Sequence, residues 1–269
     1  MSAIKAVVFD WAGTMVDFGC QAPVEALVAA FAAEGVALSA ADARRDMGRA
    51  KRDHVRALLA YPPVARAWAQ ARGADPSEAD GDRIYRAVEP LMIEAAGRCS
   101  QLIPGAAEVA QGLRARGVRI GSGTGYTRAM MAEILPRAAE QGYAPELVVC
   151  AGETPSGRPS PLMLWQALIT LDAWPARLCV KVDDAEVGIE EGRAAGCWSV
   201  GVAASGNGVG LSLAELQALP ETERRARIDR AAQSLEAAGA HLVIDSVADL
   251  PSALAEIERR IDAGRDPWS

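Results

Sequence analysis

An aspartate that closes an apolar run is the residue in this chain best placed to do chemistry. Ala6-Val7-Val8-Phe9 reads as a buried parallel strand, and Asp10 follows it directly, ahead of the turn Trp11-Ala12-Gly13-Thr14. Open α/β sheets place their chemistry where a strand ends and a turn begins. A carboxylate there is an anionic oxygen nucleophile that can form an acyl phosphate. Three more segments are predicted to meet it at the carboxyl ends of the strands. They are Ser122-Gly123-Thr124-Gly125, the loop Gly157-Arg158-Pro159-Ser160-Pro161, and Asp183-Asp184. A carboxylate and a phosphoryl group repel, so such a site needs positive charge. Mg²⁺ held by hard oxygen ligands supplies it, with Asp10, Asp184 and the backbone carbonyl of Ala12 as the protein's share. Thr124, Gly125 and nearby N–H groups can bind phosphoryl oxygens. Arg158 can bind them too and neutralise the carboxylates. Taken singly, Arg158 also reads as a surface ion-pair partner, and Thr124 as a hydroxyl bonded to its own backbone.

A second reactive group is Lys51. Of 28 basic residues only Lys5, Lys51 and Lys181 are lysines. An amine forms an imine with a carbonyl, which a guanidinium does not. Gly48 interrupts the pattern before Lys51, so Lys51 is predicted to start a helix. The positive helix end, Arg49 and Arg52, and burial would all lower its proton affinity. The plainer reading is a solvated basic helix start.

The elements that must position these groups follow from periodicity. Strands are predicted at Ala6–Asp10, Val118–Ser122, Leu147–Cys150, Leu178–Val182, Trp198–Val202 and His241–Ile244. Helical patterns such as Arg128–Gln141, Pro161–Leu171 and Glu186–Ala195 alternate with them, with breaks at Gly142, Gly196 and Gly239. The fold class is therefore α/β, a doubly wound parallel sheet. The interval from about Cys20 to Ser100 holds no convincing strand. It carries helical patterns at Val24–Glu34, Ala40–Asp46, Lys51–Ala60, Val64–Ala71 and Asp82–Gly97. Ser39 and Asp42 suggest a capping box there, and Pro62 with Pro63 a helix end. Residues 20–100 thus read as an all-helical cap domain inserted after the first strand. Residues 1–19 and 101–269 form the catalytic core. Beyond Ser205 come a loop with Gly206, Gly208 and Gly210, a long polar helix at Glu221–Ala238, and a last helix at Ser252–Ala263.

Bulk properties narrow the class. Half of the 269 residues are apolar, enough for a large domain or a main and a smaller one. No apolar run spans a membrane, and the first strand begins too early for a signal peptide, so a cytoplasmic location is expected. The net charge of −7 disfavours nucleic acid as a partner. Five scattered cysteines without a CxxC pair read as reduced thiols, and two histidines leave a zinc site without ligands.

The turn after Asp10 resembles the nucleophile loop of the haloacid dehalogenase superfamily, whose phosphatases read Asp-x-Asp-x-Thr. Here Ala12 stands where the second aspartate protonates an oxygen leaving group. If the broken bond is phosphorus to carbon, that acid is not needed. The departing electrons need a sink instead, and a protonated imine on Lys51 provides one. Further marks are Asp17-Phe18-Gly19-Cys20-Gln21-Ala22-Pro23, Met47-Gly48 with Lys51, Asp53-His54-Val55-Arg56-Ala57-Leu58, Thr124-Gly125-Tyr126-Thr127-Arg128 and Gly157-Arg158-Pro159. Across nearly its whole length the chain resembles the phosphonoacetaldehyde hydrolase (phosphonatase) family of that superfamily. The resemblance implies a Schiff base on Lys51, attack on phosphorus by Asp10, and Mg²⁺ on Asp10, the Ala12 carbonyl and Asp184. It implies that Met47, His54, Cys20 and Tyr126 line the region between cap and core. His54 and Tyr126 also read as packed, hydrogen-bonded side chains. It further implies a small phosphonate substrate and a homodimer through the cap. One departure is Gly188, where many superfamily members carry an acid four residues after the metal aspartate. The rival readings are a phosphate-monoester phosphatase or phosphomutase of the same fold, and a non-catalytic phosphate sensor.

Overall fold

The structure is a computed structural model that describes residues 2–268. Six strands, β1 (Ala6–Phe9), β2 (Arg119–Thr124), β3 (Leu147–Cys150), β4 (Cys179–Asp183), β5 (Trp198–Val202) and β6 (Leu242–Ile244), form one sheet. All pair in parallel in the order β3-β2-β1-β4-β5-β6. Their near-continuous apolar runs suit a sheet covered on both faces. The chain moves outward from β1 to β3, then crosses back over β1 to start β4. The order reverses at β1, the place where doubly wound sheets bind ligands. Phe9 is paired with Ser122 on one side and Val182 on the other. That register delivers Asp10, Gly123 and Asp183 side by side at one edge.

Between β1 and β2 the described residues hold helices only. They are α1 (Gln21–Ala33), α2 (Ala40–Ala43), α3 (Lys51–Ala60), α4 (Pro62–Arg72), α5 (Glu78–Arg98) and α6 (Ala106–Ala115). After β2 come α7 (Arg128–Glu140), α8 (Leu162–Thr170), α9 (Glu186–Ala195), α10 (Leu213–Ala218), α11 (Glu221–Ala237) and α12 (Leu250–Asp262). Lys51 is the first residue of α3, as the Gly48 break predicts. Asp46 and Gly48 turn the chain ahead of it, with φ of 56° and 91°.

Several expectations need correction. The helix predicted at 40–46 stops at Ala43, because Asp46 takes a left-handed conformation. Pro62 and Pro63 open α4 rather than merely ending α3, since a proline's missing N–H is harmless in a first turn. The Ser39–Asp42 box is half formed: Ser39 accepts from the Asp42 N–H, but the Asp42 carboxylate takes the Ser39 hydroxyl instead of its backbone N–H. Complete boxes stand at Ser77–Asp80, Ser212–Glu215 and Ser246–Asp249. Helices α6 and α10 fall in stretches where no helix is predicted.

The insertion has apolar packing of its own. Phe31 and Trp68 meet edge to face at 6.5 Å, with Ile84, Val88 and Met92 of α5 buried in the same cluster. That cluster runs on without a break into the sheet through Met15, Val16 and Met130. No helix among the described residues is long and apolar enough to cross a membrane. Trp68 is buried to about its last atom, so Trp68→Ala should lower unfolding free energy by about 3–5 kcal/mol in a denaturant titration. A loss under about 1 kcal/mol would show that the insertion does not depend on this packing.

Candidate active site

Asp10 leaves β1 and is met at once by Arg158. The guanidinium donates to Asp10 Oδ1 at 2.5 Å, to the Gly123 carbonyl at 2.6 Å and to Glu191 Oε2 at 3.0 Å. Gly123 contributes only backbone here, and a Cβ on it would stand 3.4 Å from the guanidinium. Behind Arg158 lies Lys181, on β4 and with no solvent exposure. Its Nζ is 3.0 Å from Asp183 Oδ2 and 3.1 Å from Glu191 Oε2. Arg158 is therefore not a surface ion-pair partner. It is the buried link between Asp10 and two further carboxylates.

Asp184 is held from three sides. Thr14 Oγ1 donates to Oδ1 at 3.1 Å, while the Asn207 N–H at 2.8 Å and Cys20 Sγ at 3.3 Å reach Oδ2. Oxygens of Asp10, Asp183 and Asp184 lie within 4.8 Å of one another. Asp183 is turned to Lys181, Arg158 and the Ala185 N–H. Asp10 and Asp184 face an enclosed space instead.

That space is small and is walled by both parts of the chain. The core side of its wall is Asp10, Ala12, Thr124, Gly125, Tyr126, Asp184 and Ala185. The helical insertion supplies Cys20, Pro23, Met47, Gly48 and Lys51. Nine of the eleven residues predicted for the site thus meet in one cavity. Ala12 lines it with no acidic group to offer. Thr124 Oγ1 accepts from the Tyr126 N–H at 3.1 Å, which leaves its own proton to donate. Gly125 lets the two halves touch, since a Cβ on it would come within 2.6 Å of the Arg49 carbonyl and 2.9 Å of that of Gly48.

Lys51 is buried, 3.8 Å from Met47 Sδ and 5.4 Å from the centre of the Tyr126 ring. No carboxylate pairs with it among the described residues. Burial is the main reason its pKa falls to about 8, against partial compensation from the charges of Cys20 and Asp10. The other two predicted residues stand back from the wall. Arg158 sits behind Asp10. His54 is fully buried within the insertion, its ring against the backbone of Ala43 and Arg45. Burial, then the Lys51 charge, pushes its pKa down to about 3, so its ring is neutral. Of the hydrogen-bonded packing read for these two side chains, His54 keeps backbone contacts to Ala43 and Arg45, while the Tyr126 hydroxyl is buried without a partner among the described residues.

The donor set fits a divalent cation. Four carboxylates (Asp10, Asp183, Asp184, Glu191) are buried with two cations (Arg158, Lys181). Counted as ionised, the cluster carries 4 − 2 = 2 uncompensated negative charges. Burial first, and then Asp183, raises the Asp10 pKa to about 6 despite Arg158. Burial, Asp10 and Asp183 push Asp184 well up. Such carboxylates are short of positive charge, and hard oxygens on adjacent strand ends are what Mg²⁺ takes. Lys181 and Glu191 escape sequence reading as site residues. Glu191 lies in a helix of ordinary charged spacing, and only the i, i+10 return to β4 reveals its partner. Removing one member of a buried charge network strands the others. Lys181→Met should therefore cost about 3–5 kcal/mol of stability by chemical denaturation, whereas the exposed pair Arg225–Asp245 should yield under about 1 kcal/mol.

Comparison with known proteins agrees with this geometry. A family model for haloacid dehalogenase-like hydrolases matches residues 4–196. A curated protein of Paraburkholderia phytofirmans named phosphonoacetaldehyde hydrolase is 50% identical over 267 residues, 99% of this chain and 100% of its own. One of the same name from Paraburkholderia xenovorans is 49% identical over 267 residues, with the same coverage. The crystal structure of a phosphonoacetaldehyde hydrolase-like protein from Oleispira antarctica superimposes with a TM-score of 0.97 at 42% identity, covering 99% of this chain and 96% of that one. With Asp10 at a strand end, buried carboxylates around it and near-complete coverage by these relatives, the chain belongs to the haloacid dehalogenase-like hydrolases and, within them, to the phosphonoacetaldehyde hydrolase family.

Proposed function

We propose that this chain hydrolyses the C–P bond of phosphonoacetaldehyde, giving acetaldehyde and phosphate, and that Lys51 and Asp10 carry the reaction. The observation that supports it most directly is that Lys51 and Asp10 line the same cavity while Ala12 offers no acid to a leaving group. A phosphatase or phosphomutase would need that acid.

The steps balance as follows. Neutral Lys51 attacks the aldehyde carbon, a proton is taken up from solvent, water leaves, and a protonated imine forms. Asp10 then attacks phosphorus. The C–P bond breaks, and its electron pair enters the C=N system as an enamine. Water cleaves the aspartyl phosphate, the enamine is protonated on carbon, and hydrolysis of the imine releases acetaldehyde and frees the amine. Asp10, Asp184 and the Ala12 carbonyl would hold Mg²⁺, which when bound offsets the negative charge gathered between carboxylate and phosphonate. Arg158 holds one Asp10 oxygen and leaves the other for attack. Thr124 and Gly125 offer donors to the phosphonate oxygens. Met47, Cys20 and Tyr126 shape the aldehyde end.

The same reading takes residues 20–100 as the cap domain and 1–19 with 101–269 as the core. It carries a cytoplasmic location, supported by five free cysteines, and a homodimer through the cap. Sedimentation at micromolar concentration tests the dimer, and a monomer there removes that part.

Lys51→Arg keeps the charge and loses imine chemistry, so turnover should fall by roughly 10⁴-fold or more in an acetaldehyde-release assay. Borohydride with substrate should leave a mass adduct on the Lys51 peptide of the wild type and none on this variant. The initial rate of trapping should rise with pH and level off above about 8, where the amine is unprotonated. An active Lys51→Arg chain, or trapping that is insensitive to pH, would remove the imine from the mechanism.

A further inference from the structure

The mechanism above leaves one well-connected segment without a task, the loop 205–211 with its three glycines. It lies between β5 and α10 and touches the insertion and the metal aspartate at once. On the insertion side, Arg44 at the end of α2 donates to the Gly210 carbonyl at 2.8 Å and to the linker carbonyl of Gly19 at 2.7 Å. Its Nη1 also reaches Asn207 Oδ1 at 3.3 Å, and Asn207 Nδ2 returns a bond to the Arg44 carbonyl at 3.0 Å. On the core side, the Asn207 N–H donates to Asp184 Oδ2 at 2.8 Å. Ser205 joins the same frame: its carbonyl accepts from the Gly19 N–H at 2.7 Å and its hydroxyl donates to the Gly13 carbonyl at 2.6 Å.

The glycines make this close approach possible. A Cβ on Gly206 would stand 2.7 Å from Asp184 Cβ and 2.9 Å from the Val202 carbonyl. One on Gly210, where φ is 67°, would fall 2.6 Å from Arg44 Nε. One on Gly208 would meet Ala231 of α11 at 2.8 Å. The loop is thus pressed against three neighbours by backbone alone, and its one polar side chain between the glycines, Asn207, points to Arg44.

We propose that this loop couples the seating of the helical insertion to the aspartate that holds the cation, with Arg44 and Asn207 as positioning residues for Asp184. Seating the insertion brings Arg44 onto the loop. That fixes Asn207, and the Asn207 N–H then fixes one oxygen of Asp184. Neither side chain touches the reacting atoms. By linkage, whatever factor the seated insertion adds to cation affinity, the cation returns to the seated state. The proposal rests on the reading of Asp10 and Asp184 as Mg²⁺ ligands.

The test is titration of the full chain with Mg²⁺ alone by calorimetry. It compares the wild type with Arg44→Met, Arg44→Lys, Asn207→Ala and the Met/Ala double variant, each first checked for cooperative thermal unfolding. Coupling predicts that each single variant binds Mg²⁺ about 10-fold more weakly, a typical size for linked sites. The double variant should be no worse than the weaker single one, since both cut the same path. Arg44→Lys keeps the charge but loses the fork across two carbonyls, so it should weaken binding as well. An effect through charge alone has the opposite sign, because removing a cation near Mg²⁺ tightens binding. Tighter binding by Arg44→Met, or affinities within about twofold of wild type for all folded variants, would overturn the coupling and leave the metal reading standing. A wild-type chain that takes up no Mg²⁺ would overturn both.

Discussion

The constraint on which the rest depends is a shortage of positive charge in a place water does not reach. Asp10, Asp183, Asp184 and Glu191 are buried together, and the cations that pair with them are Arg158 and Lys181. Buried ions of like sign are costly, and a cluster of this kind persists when each member is paired or bonded. Arg158 does most of that pairing, reaching Asp10, Glu191, Asp183 and the Gly123 carbonyl. What it leaves over is a demand for about one divalent cation at the strand ends. Phosphonate chemistry meets that demand from the other direction, since a dianionic substrate can approach Asp10 only where the carboxylates are already satisfied.

The helical insertion sets the protonation states across the cavity. Burial penalises the charged form of every group it covers, whatever the sign. It raises Asp10 to about 6 and lowers Lys51 to about 8. One physical cause thus moves an acid up and a base down. For Lys51 the shift is the useful one, because attack on an aldehyde requires the free amine. For Asp10 it is a penalty that Arg158 partly offsets and a cation completes. Exposure to water would return both groups towards their ordinary values. Gly125 and Gly48 are where the two halves meet, backbone against backbone.

Much of this was legible in residue types. Leu147–Cys150 and Trp198–Val202 coincide with predicted strands because short apolar runs bounded by breaks have one reading in a covered sheet. Lys51 opens α3 because Gly48 leaves no alternative start. The parts that were not legible share a property: their partners are distant in sequence. Glu191 resembles its solvated neighbour Glu190 until α9 packs its other face on Lys181. Arg44 resembles the other arginines of the insertion, and only the fold brings it to residues 207 and 210. His54 shows the reverse failure. The family resemblance implies a place between cap and core, but the imidazole is packed within the insertion, off the cavity wall.

Gly188 and Asp183 are best understood as one choice. From sequence, glycine at 188 is an acid missing from the outer metal shell, and Asp183 is an extra carboxylate of unknown use. In the fold, a Cβ placed on Gly188 would lie 1.9 Å from Asp183 Oδ2. No side chain can occupy 188 while Asp183 holds its present position. The volume is already filled, and it is filled by a carboxylate. That carboxylate comes from the strand end and not from the first turn of α9, so it is braced by Lys181 at 3.0 Å and by the Ala185 N–H at 3.0 Å. A carboxylate mounted on β4 moves with the sheet that carries Asp10 and Asp184, and its cation partners move with it. Lysine at 181 follows from the same choice. Next to a strand-borne Asp183 and a helix-borne Glu191 there must be a buried cation long enough to reach both from two positions earlier on the same strand, and Lys181 Nζ lies within 3.1 Å of each.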